Sequence, residues 1–369
     1  MAKNSDPKNW ITSKASALGF DACHFTTATL PDEIAARLVS FLAQDFHGEM
    51  TWMEETKDRR ASPDHMWEDA QSAILLAMNY GPDHNPLETL KDTDKGNISV
   101  YARGKDYHEV IKGKLKQLAG QVAAKFDCQV KVFVDTAPLM EKPLAQQAGI
   151  GWQGKHTNLV SRTFGSWLFL GTILLDKPLI PDQPISDHCG NCTACLEICP
   201  TNAFAGPYQL DARKCISYMT IEQKSQIDVR YRAAIGNRIF GCDDCLAICP
   251  WNKFASLASE QKLHPRHEPA LLPLSRLLQM DEPAFRSHFA GMPVRRAGFE
   301  RFMRNVLIAA GNANDQSLVP LIKPYLVSDM VLVRSMAVWA LSFYENDMRP
   351  YYRPDASVIV EAEWQRALA

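Results

Sequence analysis

This chain lacks any apolar run long enough to cross a membrane. The longest, Trp167 to Leu175, falls far short of the roughly 20 residues that a spanning helix needs. It also lacks a strong charge of either sign. Lysine and arginine number 40 against 42 acidic residues, a formal net charge of −2. No global basicity therefore marks a nucleic-acid coat, and a polyanion would have to meet a local patch. The opening residues, Met1-Ala-Lys-Asn-Ser-Asp6, are polar and carry no apolar leader segment. A soluble, cytoplasmic chain with no membrane partner is expected, and nothing in the pattern demands more than a monomer. Length and apolar content are ample: 369 residues, 46 % hydrophobic, suffice for two or three domains with their own cores.

Cysteine is unevenly used. Of ten cysteines, eight lie between Cys189 and Cys249. A disulfide framework belongs to small exported chains; clustering of this kind in a reducing compartment means metal. The first run is Cys189-Gly-Asn-Cys192-Thr-Ala-Cys195-Leu-Glu-Ile-Cys199-Pro200. The second is Cys242-Asp-Asp-Cys245-Leu-Ala-Ile-Cys249-Pro250, with Cys215 upstream as its fourth member. The first matches the C-x2-C-x2-C-x3-C-P run of two-cluster ferredoxins, whose last cysteine serves the other cluster. Two-residue gaps wrap a short loop around one cubane, and the three-residue step begins a helix that carries the next thiolate to the neighbour. Two [4Fe–4S] clusters are expected, one on Cys189, Cys192, Cys195 and Cys249, the other on Cys199, Cys215, Cys242 and Cys245. Paired closed zinc sites are the competing reading, for which the C-x2-C-x2-C spacing is poorly suited. Cys23 and Cys128 stand apart and are expected to be buried apolar residues.

Ahead of the clusters, Ser72–Tyr80, Val130–Asp135 and Leu168–Leu175 are apolar runs of strand length. Ile111, Leu115, Leu118, Val122 and Phe126 recur at helical spacing, so this region reads as a mixed α/β layer structure. Two nucleotide signatures fail here. Gly149 to Gly154 satisfies G-x-G-x-x-G but follows Pro138–Ala148, which reads as helix rather than strand. Gly149 to Lys155 nearly spells a phosphate loop, but His156 replaces the required Ser or Thr. A glycine-rich loop where backbone approaches a large cofactor remains reasonable. Asp135 ends an apolar run, where pockets form and desolvation raises a carboxylate's pKa. It is a candidate general acid; a helix N-cap, with Thr136 and Pro138 following, is the other reading.

Beyond residue 300 the pattern turns helical. Leu318, Leu321, Ile322 and Tyr325, then Val333, Met336, Ala337 and Ala340, suggest a HEAT-like pair joined at Ser328-Asp329. Two basic stretches, Arg295, Arg296, Arg301 and Arg304, and Lys224, Arg230, Arg232 and Arg238, are candidate phosphate contacts or solvated faces.

Across nearly its whole length the chain resembles the epoxyqueuosine reductases, which complete the queuosine modification of tRNA. The residues that carry the resemblance include Arg60-Ala-Ser-Pro63, Tyr101-Ala-Arg-Gly-Lys-Asp-Tyr-His108, Val134-Asp135-Thr136, Ala148-Gly-Ile-Gly-Trp152, Arg213-Lys-Cys-Ile-Ser217, Gly236-Asn-Arg-Ile-Phe-Gly-Cys242-Asp243 and both cysteine runs. The resemblance implies an N-terminal domain that holds one cobalamin, base-off, and is related to the reductive dehalogenase module. It implies Asp135 as proton donor and cobalamin contacts at Arg60, Ser99, Asp135, His156, Leu159, Leu170, Ser217 and Asp243. Ser99 stands where some relatives have Cys, which excludes a thiol mechanism there; His156 stands where others have Asn. Asp106-Tyr-His108 begins the D-x-H-x-x-G signature of a cobalt-ligating histidine, but Ile111 occupies the glycine position.

The fold class so implied is α+β. It comprises a mixed α/β cobalamin-binding catalytic domain (1–180), a two-[4Fe–4S] ferredoxin-like domain (181–260) and a HEAT-like helical domain (261–369). The implied activity is reduction of epoxyqueuosine to queuosine at the anticodon wobble position of tRNA, with a flavodoxin- or ferredoxin-type protein as electron donor. A related cobalamin and iron–sulfur reductase acting on a small molecule, or a ferredoxin-type carrier with no catalytic centre, are the alternatives.

Overall fold

The computed structural model describes residues 6–266 and 271–369; the polar start on which the absence of a leader was argued lies, for residues 1–5, outside them. Among the described residues no helix is long and apolar enough to cross a membrane.

A four-stranded sheet organises the first half. Its strands are β1 (Ala22–Thr27), β2 (Ser72–Asn79), β3 (Val130–Phe133) and β4 (Leu168–Leu175), in the order β1-β2-β4-β3 with every neighbour antiparallel. The three apolar runs are thus strands, and β2 is buried at every position. Burial on both faces follows from alternation. Ile74, Leu76 and Met78 face one core, with α1 (Pro7–Ala17) and α2 (Tyr107–Phe126). Ala73, Leu75 and Ala77 face another, with α3 (Glu141–Gln147). The expected helix thus starts four residues earlier than its apolar recurrence, because the Asp106 side chain accepts from the His108 N–H and caps it. Gly171 lets α2 lie close on β4: a Cβ there would come within 2.8 Å of Leu115.

The glycine-rich stretch runs from α3 into a short hairpin, Trp152–Gln153 against Leu159–Val160. It is therefore neither a strand-to-helix phosphate loop nor a dinucleotide turn.

After the first cysteine run come α4 (Ile216–Ile221) and α5 (Val229–Ile235), then the strand Arg238–Phe240, which pairs in parallel with Asn97–Ile98. The C-terminal helices α6 (Phe299–Asn312), α7 (Val331–Leu341) and α8 (Val358–Leu368) pack on these elements rather than apart from them. One apolar core runs from Ile98 through Ile216, Ile235 and Phe240 to Val333 and Trp364. A fully buried ion pair, Arg232 to Glu363 at 2.6 Å, fixes α8 onto α5. The first member of the expected helical pair is broken into a 3₁₀ turn, one α turn at Val319–Ile322 and a second 3₁₀ stretch, Lys323–Val327. Pro320 and Pro324 each remove a backbone donor and break the regular ladder there.

Candidate active site and cluster-binding loops

The site forms where β3 ends against the first turn of α2. Asp135 follows the strand with φ of +52°, a left-handed conformation that a non-glycine residue adopts only at a cost. Its backbone N–H donates to Glu141 Oε2 at 2.9 Å, and its carboxylate accepts from the Tyr107 hydroxyl. His108 Nε2 lies 3.7 Å from Asp135 Oδ2. The other imidazole nitrogen, Nδ1, is 2.7 Å from Asp106 Oδ1, and Asp106 Oδ2 accepts from Arg296 Nε at 2.8 Å. A chain Arg296–Asp106–His108–Asp135 thus ends at the candidate acid. Asp135 caps no helix: α3 begins after Met140 with no side-chain cap. Both His108 nitrogens thus face carboxylates, Nδ1 that of Asp106 and Nε2 that of Asp135.

Behind the acid, rings stack in series. Tyr107 lies on Phe169 with centroids 4.2 Å apart and planes at 5°, and Phe169 lies on Tyr80 at 4.2 Å. This packing holds the Tyr107 hydroxyl in place.

The charges do not follow the expectation that desolvation raises the Asp135 pKa. The neighbouring His108 holds that carboxylate below its usual range, outweighing desolvation, with the Tyr107 hydroxyl and the Lys142 charge adding to the effect. His108 is correspondingly raised: burial opposes its charge, but Asp106 and Asp135 prevail. Asp106 is lowered to about 2, since its bonds to His108 and Arg296 overcome burial. Glu141 takes the opposite course, pushed up to about 8 by burial and by the Asp135 charge. At neutral pH Glu141 therefore keeps its proton and Asp135 is ionised, while His108 holds its proton to higher pH than an ordinary imidazole.

Asp135 is 64 % exposed, yet Arg60, Tyr101 and Lys142 all lie within its electrostatic reach. Lys142 also senses Cys245, and Tyr80 senses Asp243 and Cys245, so this solvent-facing site lies near the second cysteine run. His156, 2 % exposed, has no partner for its Nε2 atom. Its Nδ1 accepts from the Asn158 N–H at 3.2 Å. Burial, with the Lys142 charge, depresses its pKa to about 4. The ring is therefore neutral with its proton on Nε2, a buried donor that needs an acceptor from outside the chain.

The other expected contacts differ in what they do. Ser99 and Asp243 satisfy each other, Oγ to Oδ1 at 2.6 Å, and Asp243 Oδ2 also accepts the Val100 N–H. Arg60 is stacked over Trp52 at 4.6 Å. Leu159 is buried and Leu170 half-buried in the core beside α3. Ser217 is half-buried and offers its backbone N–H to the Cys215 sulfur.

All ten cysteines are free. Cys195 is within reach of the charges of Cys189, Cys192 and Cys249. Cys245 senses Cys215 and Cys199, and Cys242 senses Cys245. Each of these neighbours shares an expected foursome, apart from Cys195 and Cys245, which are in reach of each other across the divide. Burial pushes the thiols up and repulsion among them adds to it, a crowding that bound iron relieves. The second group adjoins the Asp135 site through Lys142 and Tyr80; the first reaches the surface at Cys192, its one exposed thiol. Cys23 and Cys128 are half-buried rather than fully buried.

The basic stretches divide. Arg304 is fully buried and donates to the carbonyls of Met219, Gln223 and Ser225, and Arg301 donates to those of Ile221 and Ala297. Arg232 and Arg238 are buried against Glu363 and Asp244. Lys224, Arg230, Arg295 and Arg296 remain exposed. Tyr107, Glu141 and Lys142 were not singled out from the sequence; the Glu-Lys pair six residues past Asp135 was the available signal.

Two family models match the chain: epoxyqueuosine reductase QueG, DUF1730, over residues 60–136, and a 4Fe-4S double cluster binding domain over 188–252. The epoxyqueuosine reductase of Xanthomonas campestris pv. campestris is 41 % identical, covering 90 % of this chain and 94 % of that one. That of Pseudomonas aeruginosa is 42 % identical, covering 88 % and 91 %. A crystal structure of an epoxyqueuosine reductase with an epoxyqueuosine-modified tRNA-Tyr stem loop superposes with a TM-score of 0.89 at 28 % identity, covering 98 % and 97 %. A Bacillus subtilis epoxyqueuosine reductase, solved with its catalytic aspartate loop swung out of the active site, gives 0.88 at 28 %, covering 98 % of each chain.

Proposed function

The chain belongs to the epoxyqueuosine reductase family, and from that premise we propose that it reduces epoxyqueuosine to queuosine in tRNA, with Asp135 as the proton donor. The observation that carries this reading is the pair His108–Asp135, open to solvent and joined through Lys142 to the neighbourhood of the second cysteine group. Turning an epoxide into an alkene takes two electrons and two protons and releases the oxygen as water. When bound, cobalamin supplies low-valent cobalt for the two-electron cleavage, and the two [4Fe–4S] clusters supply electrons singly.

The residues fit such a cofactor. The orphan Nε2–H of His156 requires an acceptor, and the carboxamides that rim a corrin provide one. Arg60, Leu159, Leu170 and Ser217 would complete the contacts, with Ser99 and Asp243 as a paired polar wall. The protein's part is then proton management. His108 Nε2, kept protonated by Asp106 and Asp135, passes its proton to Asp135 Oδ2. Asp135 delivers it to the departing oxygen, which avoids an alkoxide leaving group. Tyr107 fixes the carboxylate's direction, and Glu141 anchors the loop through the Asp135 N–H.

The tRNA is held through phosphates by the exposed members of the two basic stretches, and the modified base is extruded toward Asp135. A HEAT-like reading of α6 to α8 and a division at about residues 180 and 260 accompany this proposal. So do a monomeric, cytoplasmic enzyme and a flavodoxin- or ferredoxin-type donor. The test is anaerobic reconstitution with iron, sulfide and cobalamin, followed by reaction with epoxyqueuosine-containing stem loop and nucleoside analysis. Queuosine formation that requires cobalamin supports the proposal. An iron-loaded protein that takes up no cobalt overturns it and leaves an electron carrier.

A further inference from the structure

One large aromatic side chain near Asp135 is left facing water. Of the eight tryptophans, Trp52 alone is exposed, at 44 %. It begins the first of two short helical turns, Trp52–Glu55 and Lys57–Ala61. Trp52, Thr56 and Arg60 recur at every fourth residue and so share a face. The Thr56 hydroxyl donates to the Trp52 carbonyl at 2.6 Å and accepts from Arg60 Nε at 3.0 Å. This bracing sets the Arg60 guanidinium over the indole, 4.6 Å from the ring centroid. The stack is therefore in place before any ligand arrives. It also stands beside the site, since Arg60 is within electrostatic reach of Asp135.

A phosphate contact needs a surplus of positive charge, and this segment has none: Lys57, Arg59 and Arg60 are matched by Glu54, Glu55 and Asp58. What it offers is an aromatic face. Extrusion of the modified base takes one base out of the loop's stack and leaves the π-face of a neighbour without a partner. Single-stranded loops are bound by stacking such bases on aromatic rings. A ring already held from behind by Arg60 loses little freedom when a base settles on it.

We propose that Trp52 stacks an unpaired anticodon-loop base that flanks the extruded nucleotide, with Arg60 as the fixed layer beneath the indole. Trp52 thereby holds open the gap that extrusion leaves and keeps the modified base turned toward Asp135. The inference rests on the reading of tRNA as the substrate.

The test is binding of epoxyqueuosine-containing stem loop to the reconstituted full chain at several salt concentrations, with iron content and cobalamin uptake measured alongside. Trp52→Ala should weaken binding roughly tenfold to hundredfold, the range for one base–aromatic stack. Its logarithmic salt slope should stay at the wild-type value, because stacking releases no counterions. Trp52→Tyr, which keeps a ring, should restore most of the affinity. Stem loops lacking the base at one unpaired position at a time then locate the partner. At one position flanking the modified nucleotide, the missing base should cost wild type as much as Trp52→Ala does, and cost that variant nothing further. Should Trp52→Ala lose its iron, Trp52→Leu, apolar but without a ring, takes its place. Wild-type affinity in the ring-less variant overturns the inference, as does a loss that couples to no base. A variant that loses cobalamin and stem loop together also overturns it and gives the stack to the cofactor. A wild type that binds no stem loop removes the tRNA reading, and this inference with it.

Discussion

Replacing Asp135 by Asn tests the proton path most directly. The substitution keeps the side chain's size, and Asn tolerates the left-handed φ of +52° that position 135 requires. Its carbonyl still accepts from Tyr107. Two things are lost: the proton capacity at Oδ2, and the negative charge 3.7 Å from His108 Nε2. Positioned general-acid help is worth roughly 10²–10⁴-fold, about 3–5 kcal/mol of barrier. Single-turnover conversion of modified stem loop should therefore slow by that factor, while stem-loop affinity, iron content and cobalamin uptake remain as in wild type. The pH profile adds a second constraint. In wild type the rate should fall as pH rises through the raised His108 pKa, because the donor must be protonated. In the variant His108 loses one of the two carboxylates that raise it, so any residual rate should fall off at lower pH. A variant that turns over at nearly the wild-type rate, or one with an unchanged alkaline limb, refutes the path.

Glu141→Gln keeps the shape of the protonated carboxyl. The wild-type group rises from 4.5 to about 8 on folding, so its stabilisation is complete below about pH 4.5 and lost as pH rises through about 8. The thermal midpoint of the variant, measured without added cofactor, should gain on wild type steadily from about pH 5 to about pH 8; a pH-independent difference would sink the assignment. Glu363→Ala strands Arg232, 1 % exposed, and should cost about 3–5 kcal/mol in urea unfolding. Arg366→Ala removes the half-exposed partner of the same carboxylate and should cost no more than about 1 kcal/mol; equal costs would contradict the distinction. Stem-loop binding should weaken steeply with salt, and each of Lys224→Ala, Arg230→Ala and Arg295→Ala that removes a phosphate contact should reduce the logarithmic slope by about 1. A salt-insensitive affinity would contradict phosphate-led binding.

What the sequence disclosed was what is local. The sheet was legible because its strands are apolar on both faces, and β2, buried throughout, reads as an unbroken run. The double-cluster segment was legible because two- and three-residue gaps constrain the loops that carry its cysteines. The environment of Asp135 was not, since it is assembled from distant segments. Tyr107 and His108 stand on α2, ahead of β3, and Arg296 comes from 190 residues beyond Asp106. Desolvation, the effect that sequence position suggests, loses there to the neighbouring His108 and Tyr107, which sequence position does not reveal.

The arginines carry the sharper lesson. Arg301 and Arg304 sit in the same run as Arg295 and Arg296, and composition treats the four alike. In α6, however, residues three apart share a face. Arg304 lies on the inner side with Met303 and Leu307, all fully buried. Its five donors suit it to gather carbonyls that helix ends leave without partners, and it takes those of Met219, Gln223 and Ser225 where α4 ends. A guanidinium so used is spent on the fold, and its charge no longer counts toward an RNA-facing surface. Arg304→Ala should therefore unfold the α4–α6 contact and lower the thermal midpoint well before it alters the salt slope of binding. A stable Arg304→Ala protein with a reduced slope would refute this structural role and return Arg304 to the phosphate contacts.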